Sequence, residues 1–209
     1  MHAIEGSSSA ELRRYAEAYR VFSDRDSDTE YGLYNGRIPC SRDELLAALR
    51  RPATTTSQIN LCIVKPDTLG AGCSYADMLL ARGGPGAAEI GPPTVFLSHA
   101  WQYPFQTLVG ALLDKYENDP GRDAVRVWND IFVEDQNSSS NKPTEYFYTT
   151  FRDAVAEIGH TMLVMCPWEH PVPLTRSWCI WEVYSTLEAG GVLDVVLPAS
   201  ETSKLRKAL

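Results

Sequence analysis

The feature that most restricts how this chain can fold is an alternation that begins after Pro93. Short, almost wholly apolar runs are separated by stretches with helical spacing. Residues 94–100 (TVFLSHA), 125–133 (VRVWNDIFV), 160–166 (HTMLVMC) and 192–197 (VLDVVL) read as strands. Residues 104–116, 146–158 and 175–189 read as helices between them. Pro104 stands in the first turn of the first helix, Phe105, Leu108, Val109, Leu112 and Leu113 share one side of it, and Gly159 is placed to end the second. Strands apolar along their whole length are buried on both sides. Strand–helix–strand crossovers are right-handed and place helices over both faces of a parallel sheet. The expectation is an α/β protein, a doubly wound parallel sheet of the flavodoxin-like kind. In such sheets ligands bind outside the carboxyl ends of the strands. That rule points to residues 98–101, 129–135 and 167–178. A five-stranded sheet needs one further strand, so a fragment of a longer protein, truncated before a last strand, is an open reading.

The first ninety residues follow a different pattern. Helical spacing occurs at 10–22, at 41–51 (Ser41 and Glu44 as a capping box, Pro52 as a stop) and at 75–82. Residues 59–64 (INLCIV) read as a short strand. Breakers cluster at Gly83-Gly84-Pro85-Gly86 and Gly91-Pro92-Pro93, so the boundary is set there: 1–91 a mostly helical extension, 92–209 the α/β domain.

Charge and cysteine content narrow the function classes. With 19 Lys and Arg against 27 Asp and Glu the net charge is −8. Non-specific binding to nucleic acid or an anionic membrane rests on clustered cations, and no such cluster is present. No apolar run approaches membrane-spanning length. The five cysteines form no C-x-x-C pair and have no histidine at ligand spacing, so no metal site is expected. Reduced thiols in a cytoplasmic protein are the simplest reading.

Three motifs in the second half resemble those of TIR domains. Phe96-Leu97-Ser98-His99 is similar to the motif closing the first TIR strand. Val127-Trp128-Asn129-Asp130-Ile131 is similar to the strand ending in Asp before the BB loop. Ser177-Trp178-Cys179-Ile180-Trp181-Glu182, following Arg176, resembles the S-x-W-C-x-x-E motif, with Trp, Cys and Glu in register. The likeness covers residues 94–197. VKPDTLGAGCSY and the SHAW tetrapeptide, Ser98-His99-Ala100-Trp101, resemble an arrangement in TIR-like proteins of protists and algae. The chain departs from the family pattern after the first strand, where Ala100, Trp101, Gln102 and Tyr103 replace the usual acidic or basic residues, and no BB-loop glycine is obvious.

The resemblance implies an NAD+ glycohydrolase with Glu182 as catalytic carboxylate, NAD+ as substrate and no cofactor. It also implies self-association with other TIR domains through residues 134–144 and the neighbouring helices, and a role in signalling or immunity. The chemistry needs one carboxylate. Nicotinamide leaves as a neutral base, and a negative charge stabilises the oxocarbenium-like transition state. Helix residues alone leave Glu182 between a rim carboxylate facing water and a cleft carboxylate; the motif favours the cleft. Trp178, four residues earlier, shares its face and is a candidate wall for the substrate ring.

Other candidates rest on their place at strand ends. Ser98 and His99 point to opposite sides and cannot form a nucleophile–base pair. Ser98 is expected to bond to backbone, while His99 and Trp101 are candidate substrate contacts. Asp130 is a candidate for ribose hydroxyls or for a turn role. Glu134 and Asp135 are expected in water, Trp128 and Phe105 in the core, and Cys179 as a packed thiol beside the site. The alternative to an enzyme is a non-catalytic TIR interaction module.

Overall fold

The computed structural model describes residues 54–138 and 141–209. The helices expected at 10–22 and 41–51 lie outside those residues. The described elements are α1 (Thr56–Ile59, Asn60–Val64 and Lys65–Thr68 without a break), α2 (Tyr75–Arg82), α3 (Pro85–Ala88), β1 (Val95–Ser98), α4 (Phe105–Tyr116), β2 (Val127–Trp128), α5 (Asp130–Val133), α6 (Thr144–Ile158), β3 (His160–Val164), α7 (Ser177–Glu188), β4 (Val192–Val196) and α8 (Ala199–Ala208). None of these helices is long and apolar enough to cross a membrane.

The four strands form one all-parallel sheet in the order β2-β1-β3-β4. With its flanking helices this is an α/β fold consistent with a flavodoxin-like arrangement. Side chains alternate across β1. Val95 and Leu97 enter a core with Leu108 and Ala111 of α4 and Met162 and Val164 of β3. Phe96 enters another with Trp128 of β2 and Phe151 and Val155 of α6. β1 is buried on both sides, as its unbroken apolar run requires.

Two runs expected as strands differ. Residues 59–64 are helical. Thr55 starts α1 with a reciprocal capping box to Gln58. The segment Asn60–Val64 then widens to a π-helix, in which Lys65 N–H reaches the Asn60 carbonyl. Pro66 follows within the same helix, and the wider turn is where a ring lacking an N–H donor is absorbed. Ile59 and Val64 thereby meet Ile131 in one cluster, while Leu61 and Cys62 face another. The run 125–133 keeps only two residues in the sheet. The Asn129 side chain accepts from Ile131 N–H and opens α5 instead, because asparagine is a strong N-cap.

The apolar stripe of α4 is narrower than its sequence suggests. Leu108 is buried, but Val109 and Leu113 lie in solvent. Residues before the expected boundary pack against the sheet domain. Thr56 N–H donates to the Tyr103 carbonyl at 3.1 Å, and Phe105 N–H to that of Thr54 at 2.8 Å.

Gly159 ends α6 at φ +68°, and its carbonyl accepts from Val192 N–H at 2.8 Å as β4 begins. Gly159→Ala forces a side chain into the left-handed region. It is expected to cost about 1–2 kcal/mol, read as a lower urea midpoint with unchanged slope.

Candidate functional site

The carboxyl ends of β1 and β2 and the amino-terminal half of α7 bring six sequence-predicted residues together. Ser98 ends β1, and its Oγ donates to Glu182 Oε2 at 2.5 Å across 84 residues of chain. The expected bond from Ser98 to backbone is therefore replaced by one to the carboxyl of α7. A buried acid needs a donor more than a strand end does, since backbone groups there have other partners. Glu182 retains 7% of its surface exposure, so it is no rim residue. Its helix is anchored from below: Thr186 Oγ1 lies 2.7 Å from both the Glu182 carbonyl and Thr161 Oγ1 of β3.

His99 and Cys179 complete the floor. The Cys179 thiol lies 3.5 Å from the His99 carbonyl. The His99 ring is buried and its Nδ1 stands 3.5 Å from the Leu97 carbonyl. Trp101 leaves β1 and donates its indole N–H to Asp130 Oδ2 at 2.8 Å. Asp130 is also contacted by the backbone N–H of Ile131, at Oδ1, 2.9 Å. It is thus a held acid at the start of α5, in reach of the same region as Glu182.

Trp178 is placed differently from the others. Its ring lies 4.7 Å from Tyr148, 5.9 Å from Phe151 and 6.1 Å from Phe147, centroid to centroid. Its aromatic faces serve the packing of α7 on α6. Glu134, expected in water, is buried and bound to Lys142 at 3.0 Å. Trp128 is in the core and Phe105 packs at its edge, as expected.

Burial sets the electrostatics. It pushes the Glu182 carboxyl up to about 8; the negative charge of Asp130 adds to this, while the Ser98 hydrogen bond and the Arg176 guanidinium oppose it. Desolvation likewise raises Asp130 to about 6, against the pull of Trp101, the Ile131 N–H and Arg176. His99 falls to about 4, first from burial and further from the Arg176 charge, so the ring is neutral. Burial lifts the Cys179 thiol to about 12, which leaves it unreactive as a nucleophile.

Arg176 is the residue that motif reading passed over. It stands at the N-cap of α7, and its charge is felt at Glu182, Asp130, His99 and Cys179 alike. One signal for it existed: a cation directly before an otherwise apolar helix.

The cluster therefore holds two carboxyls, one guanidinium and a neutral imidazole under low polarity. Among the described residues no group of His, Cys, Asp and Glu is arranged to hold a metal ion, and Cys73, Cys166 and Cys179 are free thiols. A surface hollow of about 440 Å³ between α6 and α7, lined by Glu145, Tyr148, Thr149, Arg152 and Trp181, does not include Glu182. No family model, curated protein or solved structure matches the chain.

Proposed function

We propose that this chain is a TIR-like, flavodoxin-like domain that cleaves NAD+ between nicotinamide and ribose, with Glu182 as the catalytic carboxylate. The observation that carries the reading is a buried acid at the carboxyl end of a parallel sheet, held by Ser98 and close to Arg176 and Asp130. A carboxyl with a strongly raised pKa at such a position is a functional-site candidate.

In this reading the C–N glycosidic bond breaks heterolytically. Its electron pair neutralises the pyridinium nitrogen, so no general acid is required. Positive charge develops on the ribose carbon, and the Glu182 carboxylate stabilises it through a low-polarity medium. Water then adds to that carbon and loses a proton, giving ADP-ribose; a hydroxyl of the same molecule or another base is the alternative acceptor. With Glu182 covered, the reaction requires an opening that admits the ribose. In this reading Asp130, fixed by Trp101, takes the ribose hydroxyls. The substrate is NAD+, with no added cofactor, and a cytoplasmic setting suits the free thiols.

The test is nicotinamide release from NAD+ at concentrated protein, followed from pH 5.5 to 9.5. Only ionised Glu182 serves, and its pKa is raised, so kcat/KM rises with pH and levels off above about 8. The inflection in kcat falls lower, because bound cationic nicotinamide favours the carboxylate. A flat profile, or one that falls with pH over this range, removes Glu182 from the mechanism.

A second reading, a non-catalytic module that binds other TIR domains or itself, is favoured by the outer face of α7. Ile180, Tyr184 and Leu187 are 50%, 50% and 62% exposed there, and Trp181 lies beside them. Adjacent exposed apolar side chains mark association surfaces. Concentration-dependent sedimentation without nicotinamide release would support this second reading over the first.

A further inference from the structure

α1 and the residue that follows β1, on segments joined by a seam of backbone hydrogen bonds, carry four buried polar atoms with no hydrogen-bond partner among the described residues: Thr56 Oγ1, Ser57 Oγ, Asn60 Oδ1 and His99 Nε2. Buried polar groups are ordinarily paired, so several together call for an explanation. The seam is firmly built. Ser57 N–H donates to the Trp101 carbonyl at 3.0 Å, and Thr56 N–H to that of Tyr103.

Asn60 is oriented within it. Its Nδ2 donates to Gln136 Oε1 at 2.9 Å, and Gln136 Nε2 donates to the Asp130 carbonyl at 2.8 Å. The amide nitrogen is thus committed, and the acceptor Oδ1 is turned away from Gln136. Asn60 also opens the π-wound stretch of α1, a departure from regular helix that recurs at functional sites. The chain of contacts Asn60–Gln136–Asp130–Trp101 ties the seam to the acid cluster. The unpartnered atoms belong to uncharged side chains: Thr56, Ser57, Asn60 and a neutral His99.

We propose that Ser57, Asn60 and His99 form a recognition subsite for an uncharged, hydrogen-bond-donating part of the ligand, either sugar hydroxyls or a primary carboxamide. This deepens the NAD+ reading and rests on it for the identity of the ligand. It brings into the site a helix that lies outside the motif-bearing region. Both chemistries present donors to Asn60 Oδ1, which only accepts, and to hydroxyl and imidazole atoms that adapt.

Ser57→Ala and Asn60→Leu in the full chain test it. Among the described residues the Ser57 hydroxyl has no hydrogen-bond partner, so Ser57→Ala leaves the melting temperature unchanged or higher. It is nevertheless expected to raise KM for NAD+ roughly 3- to 10-fold with kcat nearly unchanged, the loss of one hydrogen bond to ligand. Calorimetric binding of ADP-ribose and of nicotinamide identifies the group: weakening for the first assigns hydroxyls, for the second the carboxamide. If wild type binds ADP-ribose and Ser57→Ala weakens it without any nicotinamide release, the subsite stands and the catalytic reading falls. Nicotinamide release with equal KM in wild type and both variants overturns the subsite and leaves catalysis standing. Neither binding nor turnover in wild type overturns both.

Discussion

Glu182→Gln should reduce nicotinamide release at pH 8 by a factor on the order of 10²–10³ and raise the melting temperature at the same pH. The first effect follows from charge. Gln keeps the shape of Glu182 and can still meet Ser98, but it offers no negative charge to the ribose cation, and one lost electrostatic stabiliser costs about that factor. The second follows from linkage. The folded pKa of Glu182 is raised to about 8, far above its ordinary range. The folded state therefore holds a proton that the unfolded state releases between pH 4.5 and 8. The stability tied to that proton is complete below the unfolded pKa and is lost as pH rises through the folded one. Gln carries no such penalty, so the variant and wild type converge near pH 4.5 and separate above 8, by roughly 10–20 °C. Scanning calorimetry at pH 4.5 and 8.5 beside a nicotinamide assay checks both halves. Equal turnover removes the catalytic role, and a variant that melts lower at pH 8.5 removes the buried-acid account. Gaining stability by discarding a functional group is the usual trade at such sites.

Phe96→Ala should be the most damaging single change to the fold. Its ring is fully buried, stacked on Trp128 at 4.4 Å with 14° between planes, and edge-on to Phe151 at 6.2 Å. Emptying such a position costs about 3–5 kcal/mol, a fall in melting temperature of roughly 6–20 °C for a chain of this length. β2 feels it most. It pairs with β1 through Val127 and Trp128 alone, so the ring stack does much of the work that a longer ladder does elsewhere. Asn129 and Asp130 follow directly, and looser packing there frees the acid that Trp101 holds. Hydrogen exchange should show Val127 and Trp128 amides losing protection before those of β3. Uniform loss across the sheet would mean that β2 has no separate dependence on this ring.

The residues themselves report unevenly on this protein. Glu182 was a candidate from its motif, yet the helix around it left its surroundings open: the apolar residues of α7 face both the sheet and solvent, as exposed Leu187 and buried Cys179 show. Ser98 reads as a backbone donor in the sequence because its partner is remote along the chain, and the influence of Arg176 on Asp130 and His99 runs through space, where no motif carries it. Asn60 lay inside an apolar run too short to tell strand from helix, a choice that the Thr55 cap and the π turn settled locally.

From order along the chain alone came the parallel α/β architecture. Strands apolar on both sides, spaced by amphipathic helices, can hide their surface only between two helical layers, and that demand is local and periodic. Tertiary structure alone decided that Ser98 meets Glu182, that β2 stops after two residues, and that α1 closes over the end of β1. Each depends on desolvation and hydrogen-bond partners that exist only after remote segments have come together.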